Sequence, residues 1–414
     1  MKFRHQLFVY MVLFGVVASF GFAENPMSPA EQKIAAARKA IDRNPENYDA
    51  YNQLALAQAR RARETADPRY YDRADESLAI SLRLSPKNLE AERIEVWILL
   101  GKHEFAAALE HAVALNKRVP DDVMTYAFLV DANVELGNYA EAEKAAQWML
   151  DLRPGNVPGL TRAAYLRELF GDIEGAIDFM QNAYQRTPNT EVEDRAWTLT
   201  QLAHLDLMRG RVENADRLLK SALALYPEYH YALANLGKVR TAQGRLDEAV
   251  QAFRDLYHVA PHPENLYLLA KSLERAGRTE ECMKAFSEFE QKALAESIVT
   301  DNSNRELVYY FADVADNPSE ALRIARMETA RRHDSPTLEA YAWALHANGM
   351  TNQAQAAMKS ALEVGIEDAM SLYHAGVISR TAGDTLASKK YFQRSLEVNP
   401  HSEAADAVRQ ALLR

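Results

Sequence analysis

The stretch QGRLDEAVQAFRDLYHVAPH, residues 243–262, carries a glycine at 244, an alanine at 249 and a proline at 261. The same spacing returns at Gly137/Ala142/Pro154, Gly171/Ala176/Pro188 and Gly210/Ala215/Pro227. It returns once more, with a serine in the small slot, at Gly383/Ser388/Pro400. Gly277/Cys282 and Gly349/Ala354 keep the first spacing and lack the proline. Steps between successive glycines are 34, 39, 34 and 33 residues from 137 to 277, and 34 again from 349 to 383. A period near 34 running along a chain marks a stacked array, in which each unit buries its apolar face only against its neighbours.

Each glycine separates two helical patterns. After Gly244, the residues Leu246, Ala249, Val250, Phe253, Leu256 and Tyr257 recur at three- and four-residue steps, which is one helix face. Glycine suits the left-handed residue that closes a helix, because it has no side chain to clash. A small residue at +5 lets two helices cross closely, and the proline stops the second helix. The punctuation therefore predicts a helix–turn–helix hairpin repeated along the chain.

These residues resemble the tetratricopeptide repeat, a 34-residue helical hairpin, and residues 233–261 are the nearest copy. The resemblance implies an all-α, right-handed superhelical solenoid of about ten hairpins between roughly residues 47 and 400. Residues 24–46 read as an N-terminal half-repeat, 47–290 as the first part of the array and 291–336 as an irregular region with a possible bend or seam. Residues 337–414 hold the last hairpins and a polar-faced capping helix, SEAADAVRQALLR. The hairpin before Pro336 has Asp316 in the glycine slot.

The first residues are different material. Lys2, Arg4 and His5 precede the apolar run 7–23, and Gly21 and Ala23 supply small residues for cleavage after 23. That layout is a secretory signal peptide. An uncleaved anchor is the alternative, since the run approaches the roughly 20 residues that span a bilayer. With the family's habit, this points to a periplasmic or secreted bacterial protein. Formal charge is −10, from 48 basic and 58 acidic residues. No basic excess is available to replace the counterions of a nucleic acid. The single cysteine, Cys282, forbids an internal disulfide and stands in the small-residue slot.

No nucleophile elbow, zinc-binding helix, phosphate loop or dinucleotide fingerprint is present. His258 and His262 are four apart, but Pro261 breaks any helix between them, which suggests a solvated turn and no metal. Acidic pairs such as Asp121-Asp122 and Glu280-Glu281 stand at expected helix starts, where they favour the helix dipole. The expectation is no enzyme, no catalytic residue, no metal and no cofactor.

Comparing the repeats column by column gives the candidate site. Seven residues before the glycine the column is small: Val130, Ala164, Ala203, Gly237, Ala270, Ala342, Gly376. Six before, it is large and mixed: Asp131, Tyr165, His204, Lys238, Lys271, Trp343, Val377. By the resemblance this column faces the concave groove. Arg162, Trp197, Gln201, Tyr231, Asn235, Tyr267 and His346 stand nearby. Aromatic, arginine and amide side chains give contact area and orient a bound backbone. Trp97, four before Gly101, reads as packing between helices. The function expected is an exported scaffold binding a peptide or helix of another exported or membrane protein. An assembly factor that holds a small ligand for a periplasmic or membrane enzyme complex is the alternative.

Overall fold

The computed structural model describes residues 27–298 and 304–413, so the expected signal segment lies outside the described residues. Every regular element among them is a helix. A lone helix, Pro29–Arg43, precedes ten hairpins: 48–84, 89–118, 123–152, 157–186, 192–225, 230–259, 263–296, 305–329, 335–362 and 369–398, numbered 1 to 10 below. The helix Ala405–Leu412 closes the array. No described helix is long and apolar enough to cross a membrane.

The turns form as the glycines dictate. Gly244 has φ +71. Its N–H reaches Thr241 O at 3.0 Å and that of Arg245 reaches Arg240 O at 2.9 Å, which uses carbonyls the helix end would otherwise leave unpaired. Three hairpins turn without glycine: Ala66, His103 and Asp316 take φ of 53, 57 and 48. Asp316 thus holds the slot its alignment suggested. Gly101 instead ends a helix under the ring of Tyr71. Six of the ten first helices start on a side-chain cap. Asp122 accepts from Thr125 N at 2.9 Å and Asn156 from Gly159 N at 2.7 Å. Glu280 and Glu281 fall in the first turn of Thr279–Glu296.

Packing explains the small columns. Ala142, Ala176, Ala215, Ala249 and Ala354 are fully buried at the helix crossings, and Ser388 and Cys282 are buried in the same slot. A Cβ on Gly237 would stand 2.5 Å from the ring of Phe253, and one on Gly376 2.5 Å from that of Phe392. The glycine is there because the phenylalanine of the second helix lies flat on the first. One apolar cluster runs without a break from Leu233 to Ile378, through the irregular region.

First helices of successive hairpins touch one another, which places them on the inner, smaller-radius side of the superhelix. After six hairpins the ribbon meets itself. At hairpin 1, His230 Nε2 lies 2.8 Å from Arg63 O, and the His262 ring bonds Ala66 O just before hairpin 7. Arg63 also pairs with Glu193 and Asp194. At hairpin 3, His333 N donates to Glu135 O at 2.9 Å and Ser335 N to Tyr139 Oη at 2.8 Å. At hairpin 4, Val364 and Ile366 pack on the cluster around Leu166 and Leu169, and a Cβ on Gly171 would stand 2.6 Å from Gly365 O. At hairpin 5, Asn399 Nδ2 donates to Leu207 O at 2.9 Å and Arg209 faces Glu367 at 3.6 Å. The turns of hairpins 3, 4 and 5 meet the junctions that follow hairpins 8, 9 and 10, and hairpin 1 meets the starts of hairpins 5 and 6 and the junction before hairpin 7. The seam makes His262, expected in a solvated turn, a half-buried edge contact, while His258 is exposed.

Candidate functional site

The seam turns the concave groove into a lumen. Within the first superhelical turn this lumen holds a cavity of about 890 Å³, lined by the first helices of hairpins 1 to 5. Four of the predicted groove residues meet there: Arg162, Tyr165, Trp197 and Gln201. Tyr165 lines this cavity, 39% exposed but deep among the surrounding protein atoms. That burial pushes its phenol well above the usual value, with Glu135, Glu168 and Asp334 adding their charge. Asp334 belongs to the opposite edge of the seam, so both turns of the ribbon surround this one side chain.

The charges of this wall are paired with one another. Arg162 Nη2 meets Asp131 Oδ2 at 2.5 Å, and Arg93 Nη2 meets Asp122 Oδ1 at 2.7 Å. His204 Nε2 lies 3.0 Å from Glu168 Oε1. Glu135 faces Arg332 at 3.5 Å, and burial, with Asp334 nearby, raises its pKa to about 7 against the opposing arginines. What stays uncommitted is mostly apolar and aromatic, Trp97, Phe128, Tyr165, Trp197 and Met124, with the amide of Gln201 among them.

The other predicted residues spread along the second turn. Tyr231 lies against His230, ring centroids 4.0 Å apart, and burial raises its phenol to about 12. Asn235 Nδ2 donates to Tyr231 O at 2.9 Å, while its Oδ1 is buried without a partner. Lys238 is exposed and Lys271 pairs with Glu274. Tyr267 packs on Phe286 and Phe289. Trp343 stacks on His374 at 3.9 Å and lies 5.1 Å from the His346 ring, and its Nε1 donates to Asp313 Oδ1 at 2.8 Å. Glu339 joins this group by accepting from Tyr309 and bonding His374. His346 Nδ1 is buried without a partner, and burial lowers its pKa. The twelve residues therefore divide between a cavity wall and a distant aromatic cluster, with Tyr231 to Lys271 strung between them.

Several lining residues escaped the column argument. Trp97 lines the cavity as well as packing on the Phe105 cluster. Counted from His103, the residue that takes the left-handed conformation, it stands six before the turn, in the same column as Tyr165. Counting from Gly101 hid it. Arg63, Arg93, Glu135, Tyr309, Glu339 and His374 carried no signal in the repeats, because their roles depend on partners outside their own hairpin. No cluster of three metal-ligating side chains occurs among the described residues.

The sequence profile of the tetratricopeptide repeat matches residues 129–190 and 200–265. The comparison with curated proteins gives no match. Among solved structures, the human IFIT1 dimer with PPP-AAAA is similar at 15% identity and a TM-score of 0.52, over 89% of this chain and 87% of that one. A chain of the APC/C hetero-tetramer Cut9-Hcn1 is similar at 14% identity and a TM-score of 0.49, over 94% of this chain and 61% of that one. A tetratricopeptide repeat protein from Parabacteroides merdae is similar at 17% identity and a TM-score of 0.36, over 62% and 99%. With hairpin geometry, small-residue crossings and profile match in agreement, residues 129–190 and 200–265 are tetratricopeptide repeats, and the other hairpins of the array repeat their form.

Proposed function

We propose that this protein is a non-catalytic scaffold, exported by its N-terminal signal, that holds a polypeptide of an exported or membrane protein in its lumen. The observation that carries the reading is the wall around Tyr165 and Trp197. Its ionic groups already satisfy one another, and its free surface is aromatic, as in the anchor pockets of protein interfaces. Asn235 Oδ1 and His346 Nδ1 keep hydrogen-bonding capacity that a bound backbone or side chain can use. A phosphate-bearing ligand such as the PPP-AAAA of the IFIT1 dimer needs uncommitted cations. Arg63, Arg93 and Arg162 are each held by a carboxylate here. One observation favours a second reading, a small-ligand assembly factor: the cavity volume falls within the range of about 300–1,000 Å³ common for such sites.

Photo-crosslinking in the native host tests the scaffold. A photoreactive residue replaces Tyr165, Lys238 or Trp343, with exposed Gln251 as control. Defined protein adducts are expected from the first three and not from Gln251. Their absence, with a small molecule stabilising the purified chain in a thermal-shift screen, selects the second reading. Export is checked by the mass of the mature N-terminus, expected to begin after residue 23.

A further inference from the structure

We propose that the lumen admits its partner only through an end of the superhelix, so that the partner is an extended polypeptide segment with a free terminus. The inference rests on the scaffold reading and narrows it. An open groove accepts an internal loop or a helix laid in from the side, which is the usual geometry for peptide docking on a concave face. Here the side is shut. A backbone hydrogen bond closes it at His333–Glu135, side-chain contacts close it at His230–Arg63 and Asn399–Leu207, and apolar packing closes it at Val364 and Ile366. With the Arg332 guanidinium 4.9 Å over the Phe105 ring of hairpin 2, these contacts run along the first superhelical turn from hairpin 1 to hairpin 5, the stretch that lines the cavity.

The enclosed wall also sets the chemistry of the segment. Burying a charge without a partner is costly, and the carboxylates and guanidinium groups around Tyr165 are already matched in pairs. Trp97, Phe128 and Trp197 offer apolar surface between those pairs. The segment that fits is weakly charged and rich in aliphatic or aromatic side chains. A folded domain cannot pass, and a chain anchored by folded domains at both ends cannot thread.

Single cysteines placed in a Cys282→Ala background test the passage. Tyr165→Cys reports the lumen and Gln251→Cys the exposed face. Three reagents are compared: N-ethylmaleimide, a linear polyethylene glycol maleimide, and a maleimide carried on a folded protein by a short tether. All three label Gln251→Cys. Tyr165→Cys is expected to react with the first two, and on the order of tenfold more slowly or not at all with the third, since side access then waits on opening of the seam. Equal labelling of both sites by the folded-protein reagent means an open side and overturns the proposal, leaving the scaffold reading intact. Exclusion of the linear reagent from Tyr165→Cys overturns it too, because nothing then enters by an end. In the host, adducts from a photoreactive residue at 165 are expected within terminal segments of the captured protein. Adducts to internal loops, to folded surfaces or to nucleic acid overturn end-on entry. No adduct from any lumen position defeats the scaffold reading itself, and this inference with it.

Discussion

Seven hairpins turn on a glycine with nearly the same conformation, and they live in two different surroundings. Gly137, Gly171 and Gly210 have φ of +75, +78 and +68, while Gly244, Gly277, Gly349 and Gly383 have +71, +70, +69 and +84. A Cβ on the first three would stand 2.8 Å from His333 O, 2.6 Å from Gly365 O and 3.3 Å from Asn399 Oδ1. On the other four it would meet nothing within 4 Å. The local code writes both sets alike, because each needs a left-handed residue to reverse the chain. The surroundings differ because the turns of hairpins 3, 4 and 5 meet the segments that follow hairpins 8, 9 and 10, and hairpins 6 to 10 run out of chain. One residue type thus serves a turn in one region and a turn plus a seam in the other.

The largest separation is expected from valine at the two kinds of turn. Gly171→Val forces a β-branched side chain into the left-handed region, costing about 1–2 kcal/mol. It also drives that side chain into the Gly365 carbonyl, adding roughly 1–3 kcal/mol of overpacking. Gly244→Val carries the first cost alone. Because solenoid repeats couple chiefly to their neighbours, hydrogen exchange is the appropriate readout. Gly171→Val should expose both 165–175 and 360–370, whereas Gly244→Val should loosen only the hairpins beside it. If both variants loosen only sequence neighbours, the seam is not there in solution.

Acid offers a second way to part the two regions. Burial lowers the His230 pKa to about 4, against the bond it makes to Arg63 O and with His262 nearby. A histidine lowered from 6.5 keeps the folded state unpenalised above that pH, and stability is lost as pH falls from about 6.5 to 4. The loss is on the order of 3 kcal/mol at the contact between hairpins 1 and 6. Glu135 works in the opposite sense. Its pKa is raised from 4.5 to about 7, so its contribution is complete below 4.5 and is lost as pH rises through 7. At pH 4.5, exchange protection of 60–66 and 228–232 should fall relative to pH 7 after correction for intrinsic rates, while that of 135–139 and 333–335 should hold. Equal loss at both places contradicts the assignment of His230 as the group responsible.

The same contrast explains what the residue pattern could and could not tell. Hairpins, small crossings and the closing helix are local, and Ala249, Gly237 and Phe253 announce them within one period. The exceptions are local as well. Asp316 takes the left-handed turn its position suggested, but His103 does so with no compositional cue, and that displaced Trp97 from the groove column by two residues. The seam is of another kind. It pairs residues almost 200 positions apart, and its register depends on small rotations summed over six hairpins. No residue type marks Tyr139, His333 or Asn399 as edge contacts. The divided fate of the groove residues follows from this, since Tyr165 is enclosed by an edge that its own repeat does not contain.

Tyr139→Phe makes the smallest change and asks the sharpest question of the seam. The phenol oxygen accepts the N–H of Ser335 at 2.8 Å, and burial raises its pKa to about 12. Removing it leaves the ring in the cluster around Leu166 and deletes one hydrogen bond, worth about 1 kcal/mol, more if the Ser335 N–H is left buried and unpaired. Ser335 opens the helix Ser335–Ala347, whose cap at Asp334 still accepts from Thr337 N at 2.8 Å, so hairpin 9 itself should stay folded. Faster exchange is therefore expected at 333–335 and at Gly137, with no change in 340–347. A global loss of protection would mean that hairpin 9 needs the seam to fold; a local one makes the seam a separable element that can open while the array stays intact.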